Sequence, residues 1–303
     1  MKIAISTSSF ASVDSTPLEY LKTKGVEVID NPFGRKLTED EVINHLIDMD
    51  GLLAGLEPLN SNVFQKCPNL KAIARVGIGM DNVDIESAKA HEIRISNTPD
   101  GPTDAVAEMT LAAALSLVRQ IGAANDALHN KKWVKSIGFS LKNANVFIIG
   151  YGRIGRKVAD HFRAMGSQIQ VCDPYISKGQ LLFGEKLVEL KDGLKSADIV
   201  TLHADGNSPI LTEIEFKIMK KSIIILNSSR ANLIDEKALI NALDTNIVSS
   251  AWLDVFWNEP YVGKLTEYNQ VLLTPHMSTY SVQCRKDMEM AAVKNLLRDL
   301  GIK

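Results

Sequence analysis

Three polar residues stand where parallel strands are expected to end: Arg230 in Asn227-Ser-Ser-Arg-Ala231, Glu259 in Asp254-Val-Phe-Trp-Asn-Glu-Pro260, and His276 in Leu273-Thr-Pro-His-Met277. Their types suit acid–base work on a secondary alcohol. A histidine near neutral pH can take the hydroxyl proton in one direction and return it in the other, an effect of roughly 10²–10⁴-fold. A carboxylate beside it stabilises the imidazolium and holds the ring in orientation. A guanidinium can grip a substrate carboxylate with two parallel N–H donors and polarise the neighbouring carbonyl. Each residue also has a plainer reading: His276 caps a turn after Pro275, Glu259 is a solvated loop acid, and Arg230 is a surface charge. His203 ends another expected strand and rivals His276, whereas His45, His91, His129 and His161 fall inside helical patterns, at the surface or satisfied.

A second constellation handles phosphate. The apolar run Val146 to Ile149 leads into Gly150-Tyr-Gly152-Arg-Ile-Gly155, a G-x-G-x-x-G turn, and then into a helical pattern with Ile154, Val158 and Phe162 on one face. The first glycine allows the tight turn, the second lets backbone approach a pyrophosphate, and the third lets helix and strand pack closely. The helix start offers free N–H groups and a positive dipole end. Alone the triplet is weak evidence. The next expected strand, Gln168 to Cys172, ends at Asp173, eighteen residues after Gly155. An acid at that distance accepts hydrogen bonds from the adenine ribose hydroxyls and repels a ribose phosphate, which favours NAD over NADP. The plain alternative is a solvated acid opening the Asp173-Pro174 turn.

The elements that must carry these residues alternate strand and helix. In the first 97 residues strands are expected at 2–6, 26–29, 51–54, 72–75 and 94–96, with helices at 17–24, after a Thr38/Glu41 capping box, at 61–67 and at 85–91. The turn-rich Asn97-Thr-Pro-Asp-Gly-Pro102 marks a domain crossing, followed by helices over 103–120 and on to about 132. From Asn145 the alternation resumes, with strands at 199–202, 222–227, 247–252 and 270–273 and a final helix over 279–300. The pattern predicts an α/β chain of two Rossmann-like doubly wound domains. The dinucleotide-binding one, residues 98–277, is inserted into a smaller flavodoxin-like substrate (lid) domain of residues 1–97 and 278–303.

Composition narrows the function classes. The 303 residues are 45% hydrophobic and 23% charged, and suggest about two globular domains. A net charge of -2 gives no electrostatic case for nucleic acid or an anionic membrane, and no apolar run reaches the roughly 18 residues of a membrane span. The start, Met1 to Ile5, reads as a first strand rather than a signal sequence. Cys67, Cys172 and Cys284 are odd in number and far apart, which argues against a disulfide framework or a zinc site. Cys172 reads as a small core residue, no metal is expected, and cytoplasm is the default location.

Over essentially its full length the chain resembles the D-isomer-specific 2-hydroxyacid dehydrogenases. The matching segments are Arg75-Val-Gly-Ile-Gly-Met-Asp-Asn-Val-Asp84, Asn97-Thr-Pro99 with Val106-Ala-Glu108, the glycine turn with Asp173, Asn227-Ser-Ser-Arg230 with Ile234-Asp235, Asp254-Val-Phe256 with Glu259-Pro260, and Thr274-Pro-His276. The resemblance implies an NAD-dependent oxidoreductase with Arg230, Glu259 and His276 as the catalytic set and His276 as acid/base. It implies cofactor binding by Gly150, Gly152, Arg153, Ile154, Gly155, Asp173, His203 and Asp254. It implies substrate binding around Val76 and Gly77, with Arg75 a candidate for a second anionic group, and a homodimer built through the helices after Asn97. Within the family the chain looks most like the short phosphoglycerate dehydrogenases, so 3-phosphoglycerate and serine biosynthesis are expected, without a serine-sensing module. Glyoxylate, hydroxypyruvate or lactate are the alternatives. Formate is disfavoured because Glu259 is present, and a nucleotide-sensing corepressor is the reading from another class. Departures stand at His203-Ala-Asp-Gly-Asn207, where the family has His-x-Pro-Leu-Thr, at Ala231 in place of glycine, and at Met277-Ser278.

Overall fold

A computed structural model describes residues 1–181 and 183–303 and divides into two compact units, residues 1–102 with 279–303 and residues 103–278. In chain order the first unit contains β1 (Lys2–Ile5), α1 (Thr16–Thr23), β2 (Glu27–Ile29), α2 (Glu39–Leu46), β3 (Gly51–Ala54), α3 (Ser61–Lys66), β4 (Ala72–Arg75), α4 (Ile85–Ala90) and β5 (Arg94–Ser96). All pairings are parallel and the order is β2-β1-β3-β4-β5, the flavodoxin-like arrangement. Helix starts are fixed by side chains. Thr38 and Glu41 form the expected capping box, and Asn60 and Asp84 accept from Val63 N and Ser87 N. One such cap is worth about 1 kcal/mol.

The second unit carries α5 (Pro102–Val118), α6 (Ile121–His129), β6 (Asn145–Ile149), α7 (Arg153–Ala164), β7 (Gln168–Cys172), β8 (Lys186–Leu187), α8 (Leu190–Ser196), β9 (Ile199–Leu202), α9 (Glu213–Ile218), β10 (Ile223–Asn227), α10 (Glu236–Asp244), β11 (Val248–Leu253) and β12 (Val271–Leu273). Its sheet is parallel, ordered β12-β11-β10-β9-β6-β7-β8. This is the Rossmann order with one further strand, and the direction of winding reverses between β6 and β9. Two apolar layers cover it. One packs Phe147, Val200, Ile225, Leu239 and Leu253 together, and the other packs Val146, Ile148, Phe162, Ile224 and Trp252. Every residue of β9 and β10 is buried, which is why these strands read as unbroken apolar runs. The final helix, α11 (Val282–Asp299), packs on β3, β4 and β5 of the first unit, capped by the Ser281 side chain at Cys284 N.

Two details differ from expectation. The two-residue strand β8 lies at the sheet edge in a polar stretch, too short for an apolar pattern to mark it. Cys172 is half-buried rather than enclosed. Among the described residues no single helix is long and apolar enough to cross a membrane. The bent pair α5 and α6 passes by length and composition, but Ala107, Ala113, Ala114 and Val118 of α5 lie in a buried core cluster.

Candidate active site

In a doubly wound sheet, ligands gather beyond the carboxyl ends of the strands where the winding reverses. The glycine turn lies there, between β6 and α7. Gly150 has φ +92, and a Cβ on it would collide with the backbone of His203 and Ala204 at the end of β9. A Cβ on Gly155 would strike the Gly150 carbonyl, so helix and strand approach closely only without side chains. Gly152 faces open space instead, and it caps α7 without any side-chain bond. The first-turn N–H groups, including those near Arg153 and Ile154, are therefore not covered by a capping side chain. At the end of β7, Asp173 accepts from Tyr151 N at 2.7 Å and from Tyr175 N at 2.8 Å, which holds its carboxylate beside the turn. An uncapped helix start, a glycine without neighbours and a fixed acid together fit a dinucleotide, whose pyrophosphate needs the first two and whose ribose needs the third.

The polar residues sit on three consecutive strands at the same edge. Asn227 of β10 is in register with Leu253 of β11, and Leu253 with Leu273 of β12, so the loops bearing Arg230, Glu259 and His276 leave at one level. Glu259 and His276 meet. His276 Nδ1 lies 3.1 and 3.0 Å from the two Glu259 carboxylate oxygens, and Glu259 is itself held by Phe256 N at 3.1 Å. Both side chains are part exposed, as groups that exchange protons with a substrate must be. With Nδ1 turned to the carboxylate, Nε2 is the ring nitrogen that Glu259 does not engage. Arg230 follows in a tight loop: Asn227 Nδ2 donates to Arg230 O at 2.9 Å, Ser229 N donates to Asn227 Oδ1 at 3.0 Å, and the Ser229 hydroxyl donates to Ala204 O. Arg230 Nη1 donates to Ser229 O at 2.9 Å.

The His276 loop depends on a residue whose role spacing does not reveal. Asp254, 1% exposed, accepts from Thr274 Oγ1 at 2.6 Å and Met277 N at 2.9 Å on one oxygen and from Ser278 N at 2.9 Å on the other. Trp252 Nε1 donates to Thr274 Oγ1 at 2.9 Å from beneath. The carboxylate expected on the cofactor side thus uses both its oxygens to clamp the loop, and His276 is held there at φ 51.

His203 is the opposite case. Burial pushes its pKa down to about 3, and its Nε2 pairs with Thr201 Oγ1 at 2.8 Å. A ring that stays neutral across the physiological range, with a hydroxyl rather than a carboxylate partner, is not a proton shuttle. Its backbone lies directly against Gly150. Arg75, Val76 and Gly77 belong to the first unit, at the carboxyl end of β4. The described residues contain no group of three or more His, Cys, Asp or Glu that could hold a metal ion.

Residues 111–278, more than half of the chain, match the family model described as D-isomer specific 2-hydroxyacid dehydrogenase, NAD binding domain. The chain belongs to this family. The matched stretch lies within the second unit. A D-3-phosphoglycerate dehydrogenase of Synechocystis sp. is 33% identical over 290 residues, covering 92% of this chain and 52% of the relative. The chain spans about half the length of such curated relatives. A glyoxylate reductase of Thermococcus litoralis is 32% identical over 259 residues, covering 80% of this chain and 77% of that one. The crystal structure of a glyoxylate reductase from Paecilomyes thermophila superposes with a TM-score of 0.88 at 26% identity, covering 99% of this chain and 95% of that one.

Proposed function

We propose that this 2-hydroxyacid dehydrogenase interconverts a D-2-hydroxy acid and its 2-oxo acid with NAD, and that its substrate is 3-phosphoglycerate, oxidised to 3-phosphohydroxypyruvate in serine biosynthesis. The observation that carries the reaction class is the His276–Glu259 pair, bonded at 3.0 Å on the sheet edge that also bears the glycine turn. NAD, when bound, supplies the acceptor and donor of hydride. The chain supplies the rest. His276 Nε2 takes the hydroxyl proton during oxidation and returns it during reduction, and Glu259 balances the imidazolium that forms between. Arg230 grips the substrate carboxylate and polarises the carbonyl. Gly150, Gly152, Arg153, Ile154 and Gly155 seat the pyrophosphate, and Asp173 takes the ribose hydroxyls, which favours NAD over NADP. Backbone at Val76 and Gly77 takes the substrate carboxylate, and Arg75 a second anionic group.

The phosphoglycerate reading is supported by the relatives of that name at 28–34% identity. A glyoxylate reductase at 32% supports a second reading, a smaller acid such as glyoxylate, hydroxypyruvate or lactate. The paired His276 and Glu259 weigh against a purely nucleotide-sensing protein. We also place the enzyme in the cytoplasm, where three unpaired cysteines are at home. The test is a substrate panel followed by NADH or NADPH absorbance: 3-phosphoglycerate, D-glycerate, D-lactate and glycolate, each with NAD and NADP. The highest kcat/KM is expected for 3-phosphoglycerate with NAD. Preference for an unphosphorylated acid contradicts the substrate assignment, and equal use of NADP contradicts the role of Asp173.

A further inference from the structure

The loop that carries Glu259 leaves β11 and is pinned to the start of α10. Asp235 caps that helix by accepting from Ala238 N at 2.8 Å, and Glu236 stands in its first turn. From the loop, the Tyr261 hydroxyl donates to Glu236 Oε1 at 2.6 Å and accepts from Leu265 N at 3.2 Å. Trp257 Nε1 donates to Ile234 O at 3.1 Å, one residue before the cap. Burial and the Glu236 carboxylate push the Tyr261 hydroxyl up to about 12, so it keeps its proton, and stays a donor, across the physiological range. Gly263 leaves the ring its room, since a Cβ there would strike the Tyr261 hydroxyl.

Tyr261 also closes the loop on itself. Its ring stacks on Phe256, with centroids 4.8 Å apart and planes at 22°, and Trp257 lies against it at 6.5 Å and 52°. Stacked rings attract beyond the area they bury. Phe256 and Tyr261 flank Glu259 along the chain, so their stack sets the path of the backbone between them. Phe256 N then donates to Glu259 Oε1 at 3.1 Å, and Glu259 Oε2 lies 3.0 Å from His276 Nδ1. Every step from α10 to the imidazole is thus a direct contact. Glu259 and His276 are part exposed, and an exposed pair gains little once two free side chains must be ordered for it. A loop already fixed at the stack removes part of that loss.

We propose that Tyr261 is a positioning residue for the proton transfer, holding the loop that delivers Glu259 to His276. The inference rests on the reading of His276 and Glu259 as the acid–base pair, and it names what keeps that pair assembled.

The test is a mutant cycle on the single-turnover rate of reduction at saturating NADH, with the 2-oxo acid that the wild type reduces fastest. Tyr261→Leu removes ring stack and hydroxyl and lowers the rate about tenfold, the worth of one hydrogen bond to a charged group. NADH affinity, read by fluorescence, stays at the wild-type value. Tyr261→Phe keeps the stack and lowers the rate less, by about threefold. On a Glu259→Gln background, Tyr261→Leu changes the rate by less than about twofold, because the carboxylate it places is gone. A rate unchanged by Tyr261→Leu, or a fall of the same size on the Glu259→Gln background, overturns the proposal. Should Tyr261→Leu not fold, Tyr261→Phe runs the same cycle under the same two criteria. Glu259→Gln alone separates the two readings. A wild-type rate in that variant contradicts the acid–base pair and the positioning role with it, whereas a loss there beside an unaffected Tyr261→Leu contradicts the positioning role only.

Discussion

His276 and His203 both end strands of the same sheet, and residue type alone does not separate them. Their partners do. His276 has a carboxylate at 3.0 Å and part-exposed surroundings, whereas His203 has a hydroxyl at 2.8 Å and a pKa pushed down to about 3 by burial. The consequence is a sign that can be measured. Unfolded His203 binds a proton below about pH 6.5 and folded His203 does not until about pH 3, so between those values the unfolded state holds more protons. Stability therefore falls as pH drops through that window, by no more than about 2 kcal/mol between pH 7 and pH 5 from this one group. His203→Gln is expected to flatten that slope in denaturant titrations at pH 7 and pH 5. An unchanged slope shows that His203 does not stay neutral in the folded state. The ambiguity was real at the level of sequence because the deciding partners, Glu259 and Thr201, lie at quite different separations along the chain, 17 and 2 residues.

Elements were easier to read than contacts. Buried parallel strands appear as apolar runs, so β3, β4 and β9 stand where the run of residues puts them, and the Thr38/Glu41 cap acts as its residue types suggest. What escaped is the support beneath the site. Asp254 closes β11 and looks like any strand-end acid, yet it clamps residues 274–278 with three hydrogen bonds. Nothing in its spacing announces this, since the bonds span 20 to 24 residues along the chain. Asp254→Asn replaces one of its two acceptor oxygens with a donor, and a buried donor left facing an N–H costs about 1–3 kcal/mol. The variant is expected to lose that much stability and to lower kcat by tenfold or more, because His276 is released from its φ +51 position. Denaturant unfolding and steady-state kinetics on one preparation check both. Full activity with unchanged stability contradicts the clamp.

On the scale of the whole molecule, α6 and the segment after it bury nothing within their own chain. No α6 residue is buried, and Trp133 and Ile137 are 80% and 95% exposed, with Ile121, Leu128, Val134 and Phe139 also exposed. An apolar surface of that extent marks an interaction site. We propose a homodimer built through this segment. Trp133→Glu combined with Ile137→Glu is expected to give monomers by analytical ultracentrifugation, against dimers for the wild type. A monomeric wild type contradicts the assembly. The sequence carries the apolar residues openly, but periodicity alone does not distinguish a helix turned to its own core from one turned to a partner.

The proposed function turns on a proton moved by His276 while NAD is held by the glycine turn. The measurement that tests it most directly is single-turnover reduction of the preferred 2-oxo acid by His276→Ala at saturating NADH, with NADH binding followed by fluorescence in the same samples. A fall of about 10²-fold or more in the turnover rate, with NADH affinity within about twofold of wild type, is the predicted result. A rate within about twofold of wild type contradicts it.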